Sequence, residues 1–427
     1  MNPCFSMNQY KPYLEYKSSC VEWLGEIPSH WGVKKLKQAS KKSALYGANE
    51  PSDSYSLDGI RFLRTTDIDD SGKLNHTSSV YLDQELVKEY LLADGDILFS
   101  RSGTLGRTYV HNAKLYGSCA YAGYLVRFVL KNYLLPKYVF YYSKTNQYYD
   151  WLNLSIIQST IGNVNGQKYA NMPIIIPPLP EQRGIAAFLD RQTAKIDALI
   201  EKYQRLIQLL QEKRAALITH AVTHGLATNV PLKDSGVEWL GKIPDHWKIK
   251  KQKYLARFNY GDSLSDVNRE LGDISVYGSN GVVGEHSKPN TKSPCIIIGR
   301  KGSFGKVNYS EKSCFAIDTT FFIDSRFCKV DIRWLFYVLK NLKLDEISRD
   351  SAVPGLDREI AHNYLLPLPA NDEQQAIADF LDRETAKIDD MVSKVESLIV
   401  KLQEYRSSLI TAVVIGKIDI RDLIESG

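Results

Sequence analysis

The stretch LPEQRGIAAFLDRQTAKIDALIEKYQRLIQLLQEKRAALITHAV, Leu179–Val222, decides the architecture, because the chain contains it twice. The second copy, DEQQAIADFLDRETAKIDDMVSKVESLIVKLQEYRSSLITAVV, runs Asp372–Val414. A shift of 192 residues lays Glu181 on Glu373, the FLDR run from Phe188 on the one from Phe380, and Leu217, Ile218 and Thr219 on Leu409, Ile410 and Thr411. Within each copy the apolar residues keep a seven-residue beat. Ile196, Tyr203, Leu210 and Leu217 share one position of it, and Leu199 and Leu206 the other. In the second copy Ile388, Val395, Leu402 and Leu409 are joined by Met391, Leu398 and Tyr405. Such 3-4 spacing is a coiled-coil seam, and about 44 residues make a rod of roughly 65 Å. An apolar stripe on a lone helix has nothing to cover it. The two helices are therefore expected to pack on each other, since their length and charged outer faces disfavour two ordinary core helices.

A second repeat precedes each globular segment. VEWLGEIPSHWGVKKLKQ (Val21–Gln38) returns as VEWLGKIPDHWKIKKQKY (Val237–Tyr254). Its Trp and Ile-Pro elements read as core packing at the start of a strand, and its histidines as structural. Its lysines, Lys34, Lys35 and Lys37 with Lys250, Lys251 and Lys253, recur at one end of both segments. Lysine runs are usually solvated faces, but recurrence raises a phosphate-contact reading.

The segments between these motifs read as strands bounded by Gly, Asp or Pro: GIRFLRTTDI, GDILFSRSG, AYAGYLVRFVL and MPIIIPPLP in the first half. A helix is expected over Leu134–Leu152. Each segment ends in a proline-flanked strand that feeds the long helix. Pro180 suits a first turn, Asn371 with Gln374 a capping box, and Gly225 and Gly416 the helix exits. Internally, LKDSG runs into VEWLG, while the chain stops at LIESG. Joined end to end the sequence closes on itself, so a ring-like duplication with neighbouring termini is expected.

GRKGSFGK (Gly299–Lys306) is neither a Walker A loop, since Val307 stands where Ser or Thr is required, nor a dinucleotide fingerprint. Its partner is SRSGTLGR (Ser100–Arg107). Two glycines allow a tight turn. Arg101, Ser102, Thr104 and Arg107, with Arg300, Lys301, Ser303 and Lys306, can then face phosphate. A plain hairpin turn is the compatible alternative, as it is for YGSNGVVG (Tyr277–Gly284). His220 and His224 lack a third ligand, so no metal site is assigned. We find no methyltransferase motif, nuclease carboxylate cluster or helicase motif, and we assign no catalytic residue.

Composition agrees with a globular protein: 427 residues, 44% hydrophobic and 24% charged, enough for two or more cores. A net charge of +5 is only a weak pointer to an anionic partner. The 26 tyrosines suit a binding surface without identifying one. No apolar run approaches the roughly 18 residues of a membrane helix, and Met1–Lys17 has no apolar signal core. The six cysteines form no CxxC pair or disulfide framework, so a reducing cytoplasm and no membrane are expected.

Taken in order and twice, the VEWLG-x-IP-x-HW motifs, the EQ-x-x-I-A-x-FLDR-x-TAKID helices and the GRKGSFG-type loop resemble the specificity subunits of type I restriction–modification systems. The resemblance covers nearly everything from Tyr10 onward. Two departures are small: Cys20 stands where the second copy has Gly236, and SRSGTLG is a loose version of the loop. The resemblance implies an α/β (α+β) fold, a tandem duplication of two target-recognition domains joined by two long antiparallel coiled-coil helices, pseudo-two-fold and circular. The parts are then an N-terminal segment (1–20), a first recognition domain (21–178), a central helix (179–226), a linker (227–236), a second recognition domain (237–369), and a distal helix with tail (370–427). It also implies binding to a bipartite, gapped double-stranded DNA target and docking of two methyltransferase subunits, with restriction/translocase subunits joining through the complex. S-adenosylmethionine, ATP and Mg2+ would belong to those partners, with no cofactor in this chain. DNA's local two-fold axis would place the domains about one helical turn apart, roughly 34 Å, with helix length setting the gap. The alternatives are a coiled-coil scaffold or adhesin-like protein without DNA targeting, and a standalone enzyme whose catalytic cluster the sequence does not show.

Overall fold

The computed structural model describes Met7 and residues 10–157, 162–346 and 355–425. Ser426 and Gly427, part of the end-to-end junction, and Cys4 lie outside them. The chain divides into two compact units, one of Met1–Lys202 with Ser397–Gly427, the other of Tyr203–Glu396.

In the first unit, strand Gly32–Lys35 pairs antiparallel with Pro173–Ile176, the strand that runs into the long helix Leu179–His224. The two ends of the globular segment are thereby zipped together. Between them lies a four-stranded antiparallel sheet in the spatial order Leu45–Tyr46, Leu125–Phe128, Ile97–Ser100, Thr108–Val110. A three-stranded sheet places Ile60–Leu63 between Val80–Leu82 and Cys119–Tyr121, the latter parallel to it. The second unit repeats every part. Lys248–Lys251 pairs with Leu365–Leu368 ahead of the helix Asn371–Val414. Its four-stranded sheet runs Asn259–Tyr260, Thr320–Asp324, Cys295–Gly299, Val307–Ser310. Its three-stranded sheet runs Gly281–His286, Ile274–Gly278, Phe315–Ala316, again with one parallel pair. Ile97–Ser100 and Cys295–Gly299 are buried along their whole length. That is why they read as unbroken apolar runs and not as alternating strands.

The repeated motifs turn out to be joints. Glu181, in the first turn of its helix, accepts hydrogen bonds from the Trp31 indole N–H (3.0 Å) and the Tyr13 hydroxyl (3.0 Å), and pairs with His30 Nε2 (2.7 Å). Glu373 accepts from the Trp247 indole (2.9 Å) and pairs with His246 (3.1 Å). The histidines are thus structural partners of a carboxylate. The Gln182 side chain accepts the Leu135 N–H and donates to the Tyr133 and Pro177 carbonyls. Gln374 accepts the Asp331 N–H and donates to the Pro369 carbonyl. Gln374 also donates to Asn371 Oδ1 (3.4 Å), so the two expected partners meet side chain to side chain, without the backbone bonds of a capping box, while Gln374 serves a neighbouring helix start. Asp190 and Asp382 of the two FLDR runs accept from Tyr141 and Tyr337 (2.5 and 2.7 Å). Each globular domain is thus fastened to its long helix at corresponding residues.

In the first unit Asp197 meets Arg406 (2.8 Å), and in the second Arg214 meets Asp389 (3.1 Å), so the long helices pack antiparallel in both. One seam position is as expected: Ile196, Leu210, Ile388, Val395, Leu402 and Leu409 are buried, and Tyr203 and Leu217 half-buried. The other needs correction. Leu206, Met391 and Leu398 are 40–42% exposed, whereas Ile200, Ile207, Val392 and Ile399, one residue on, turn inward; Leu199 stays half-buried. Both neighbours are apolar in every such pair. The 3-step and 4-step readings of the beat were therefore equally available, and helix rotation chose the second.

The helix expected over Leu134–Leu152 is two, Pro136–Tyr142 and Asn146–Ile157. Thr145 causes the break, its hydroxyl accepting the Tyr148 N–H as a cap while donating to the Tyr142 carbonyl. AYAGYLVRFVL likewise divides at Gly123 into strands of different sheets. Gly225 and Gly416 end the long helices in the left-handed region, at φ +75° and +77°.

The two chain ends meet in the first unit. The Asp419 N–H donates to the Lys11 carbonyl (2.8 Å), and the Tyr16 hydroxyl donates to the Gly416 carbonyl (3.0 Å). Strand Tyr16–Ser18 then pairs with Glu26–Pro28, as Leu232–Asp234 pairs with Lys242–Pro244 in the continuous copy. At the turn between strand and motif, Cys20 has φ +57° where Gly236 has +65°. A side chain in that region costs roughly 1–2 kcal/mol. Cys20→Gly is expected to stabilise the first unit by about 1 kcal/mol. An unchanged or lower unfolding midpoint would count against that strain.

Candidate nucleic-acid interface

In each domain the glycine loop joins two strands of the four-stranded sheet. Gly103 and Gly106 stand at φ +74° and +84°, and Gly302 and Gly305 at +69° and +78°. A Cβ at Gly305 would come within 2.1 Å of the Asp345 nitrogen, so close backbone approach is a second reason for glycine there. The loop is a hairpin turn that carries an arginine at its root. The Arg101 N–H donates to the Tyr124 carbonyl and the Arg300 N–H to the Thr319 carbonyl, which fixes both roots against the neighbouring strand turn.

The two guanidinium groups are held alike. Arg101 lies over the Tyr46 ring, 5.0 Å from its centroid, and reaches the Gly123 carbonyl at 3.4 Å. Arg300 lies over the Tyr260 ring at 4.8 Å and donates to the Asp318 carbonyl at 3.0 Å. Each tyrosine is followed by a glycine, Gly47 or Gly261, where a Cβ would stand 2.1 Å from a backbone carbonyl oxygen, of Tyr121 or Ile317 respectively. This repeated Tyr-Gly pair is the signal that sequence reasoning missed. The pairs are 214 residues apart, so neither shift that aligns the longer repeats superimposes them.

At the loop tips Thr104, Lys301, Ser303 and Lys306 are exposed and Ser102 half-buried. Lys306 donates to the Asn280 side chain on the Tyr277–Gly284 hairpin, and the Ser279 hydroxyl to the Thr319 carbonyl. That hairpin and the glycine loop therefore share one end of the second domain, with Val282 and Val283 exposed on it. Arg107 is committed elsewhere, donating to Asp70 (3.2 Å) and the Thr65 carbonyl (3.2 Å). Beside it, Lys144 donates to the Asp70 carbonyl, and burial, partly offset by the Asp70 charge, pushes its ammonium down to about 8.

Lys34, Lys35, Lys37, Lys250, Lys251 and Lys253 are all exposed. In the first domain they stand apart from Arg101, whereas in the second Lys253 and Arg358 both act on the His362 imidazole. The Leu36 N–H donates to the Met172 carbonyl, at the C-terminal end of the short helix Gly166–Asn171, whereas Tyr46 accepts the Gly166 N–H at its start. A helix of that size separates the two positively charged areas by roughly 9 Å. Among the described residues no group of three or more His, Cys, Asp or Glu could hold a metal ion, and no helix is long and apolar enough to cross a membrane.

The domains thus present backbone turns, hydroxyls and fixed cations at corresponding ends, on a shared frame with divergent side chains. Known proteins resemble this chain along most of its length. The chain is 22% identical over 366 residues to the MjaVIII type I restriction enzyme specificity subunit of Methanocaldococcus jannaschii, covering 79% of this chain and 82% of that one. It is 22% identical over 222 residues to the StySPI specificity subunit of Salmonella potsdam, a match spanning 50% of this chain and about half, 47%, of that protein. Two solved structures share the fold. One, from work on complex assembly and conformational transition of the type I R-M system, has a TM-score of 0.68 at 16% identity, covering 92% of this chain and 99% of its own. The other, the HsdS subunit of Thermoanaerobacter tengcongensis, has a TM-score of 0.53 at 15% identity, covering 92% and 98%. The family model of the type I restriction modification DNA specificity domain matches residues 28–211 and again 244–395, one copy in each half, and the chain belongs to that family of specificity subunits.

Proposed function

We propose that this chain directs a type I restriction–modification complex to a gapped, two-part duplex sequence, each globular domain reading one half. The observation that carries this is the pairing of an unchanged frame with changed contents. The joints at Glu181 and Glu373 and the arginine-bearing turns are duplicated, while the side chains between them differ. Phosphate contacts position a protein on DNA and base contacts specify the sequence. The retained cations Arg101 and Arg300 are assigned to the first task, with Ser102, Thr104, Lys301, Ser303, Lys306 and the six lysines as further backbone contacts. The divergent loops are assigned to the second. Arg107, already paired with Asp70, is the weakest of these contacts. The chain is read as non-catalytic, with two methyltransferase subunits docking on the long helices and restriction subunits joining through them. S-adenosylmethionine, ATP and Mg2+ are assigned to those subunits, and the assembly to the cytoplasm.

The test is the methylome, by long-read sequencing, of cells expressing this chain with a cognate methyltransferase subunit. The expected result is a methylated two-part motif with a fixed unread gap, absent when this chain is omitted. Exchange of one domain should change one half of the motif only. An assembled complex that adds no new methylation would overturn the reading.

A further inference from the structure

The second domain carries a cation at this end for which the first has no counterpart. Arg358, at the start of the helix Arg358–Asn363, lies over the same Tyr260 ring as Arg300, its guanidinium carbon 4.9 Å from the centroid. Two guanidinium groups within 5 Å of one ring stand within about 10 Å of each other, roughly one Debye length at 0.1 M salt. Among the described residues no carboxylate lies within ion-pair distance of Arg300, and Arg358 has only the exposed Glu359 at 3.8 Å. Asp357 is occupied as the helix cap, accepting the Glu359 and Ile360 N–H groups. The Arg358 Nε is buried with no hydrogen-bond partner. An uncompensated pair of planar cations, oriented by an aromatic face, is the arrangement that bidentate phosphate recognition uses.

In the first domain the corresponding residue is Gly166. The backbone shows the correspondence: the Val164 N–H donates to the Arg101 carbonyl as the Leu356 N–H donates to that of Arg300. A Cβ at Gly166 would stand 2.8 Å from Ala44 Cβ and 2.9 Å from the Tyr46 hydroxyl, so the first domain has no room for an arginine there. We infer that Arg300, Arg358 and Tyr260 form a clamp for a DNA backbone phosphate, with Arg358 a phosphate ligand found in the second domain and not in the first. Tyr260 is the positioning residue. The inference rests on the DNA-targeting reading above and adds that the second domain neutralises one phosphate charge more through this position.

The experiment uses the full chain assembled with its methyltransferase subunits and two duplexes of equal length, one containing the methylated motif and one lacking it. Affinity is measured across a salt series. Arg358→Gln should lower the slope of log affinity against log salt by about 0.9 on both duplexes alike. Arg358→Lys, which keeps the charge, should hold the slope while weakening binding severalfold. Both variants should leave the unfolding midpoint and the methylated motif unchanged, and unaltered folding of the lysine variant guards against misreading a folding defect. A wild-type slope in the Gln variant would overturn the clamp. So would a loss confined to the motif duplex, which would make Arg358 a base reader. A wild-type complex with no salt-dependent DNA affinity would instead overturn the DNA-targeting reading itself.

Discussion

Glu181→Ala is expected to destabilise the first unit by about 3–5 kcal/mol, the largest single-residue effect predicted for this chain. The carboxylate is the shared acceptor of three side chains, Trp31, Tyr13 and His30. Trp31 is fully buried and Tyr13 nearly so. Removing the acceptor strands an indole N–H and a phenolic O–H away from water, each costing about 1–3 kcal/mol. It also removes a negative charge from the first turn of a 46-residue helix, where the dipole favours one. The same substitution at Glu373 should cost less, about 1–3 kcal/mol. There the acceptor serves two groups, and His246 is about half exposed and can turn to water. Unfolding midpoints of the two variants test the ordering. A Glu373 variant that loses as much as the Glu181 variant would sink the account, because the two sites differ chiefly in how many buried donors the carboxylate satisfies.

The second large effect concerns the target and not stability. Inserting seven residues into both long helices, at matched places in the antiparallel pairing marked by Asp197–Arg406 and Arg214–Asp389, is expected to lengthen the unread gap by about three base pairs. Seven helical residues add roughly 10 Å of rise, and B-DNA advances about 3.4 Å per base pair. A whole heptad keeps the seam positions of Ile196, Leu210, Ile388 and Leu402 in phase, so the helices can still pair. The methylated motif of the variant is the readout. Both half-sites should persist with a longer gap between them, and an unaltered gap in an assembled complex would show that helix length is not the ruler.

The duplicated frame was legible because its residues answer to fixed geometry. A carboxylate in a helix's first turn facing a tryptophan N–H, a glutamine serving a neighbouring helix start, and a tyrosine hydroxyl on the FLDR aspartate each tolerate few alternatives, so the same residue types recur in both halves although the separations between partners differ. The second seam position was not legible. Leu206 and Ile207, or Leu398 and Ile399, are equally apolar, and the choice between them rests on helix rotation, which a linear pattern does not encode. Thr145 hid a helix break because its role as a cap depends on a hydroxyl meeting the Tyr148 N–H. At the candidate interface the glycine turns and their arginines could be read, since left-handed backbone restricts the residue type. Tyr46 and Tyr260 left only the Tyr-Gly pair as a trace, out of phase with both longer repeats, and Arg358 left none, because they reach the arginines through strand and helix placement that the sequence does not state.

The first unit draws its last pieces from the far end of the chain, and this sets an order of events during synthesis. Residues up to Lys202 leave the ribosome well before Ser397–Gly427, which complete that unit. At about 5–20 residues per second the wait is roughly 10–40 s. Through that interval the part of the helix Leu179–His224 in this unit lacks the later helix that pairs with it through Asp197 and Arg406. The second unit, contiguous in the chain, has all its parts as soon as Glu396 emerges. The domain made first is therefore the one finished last, and its nascent surface is the part of this protein most in need of a chaperone.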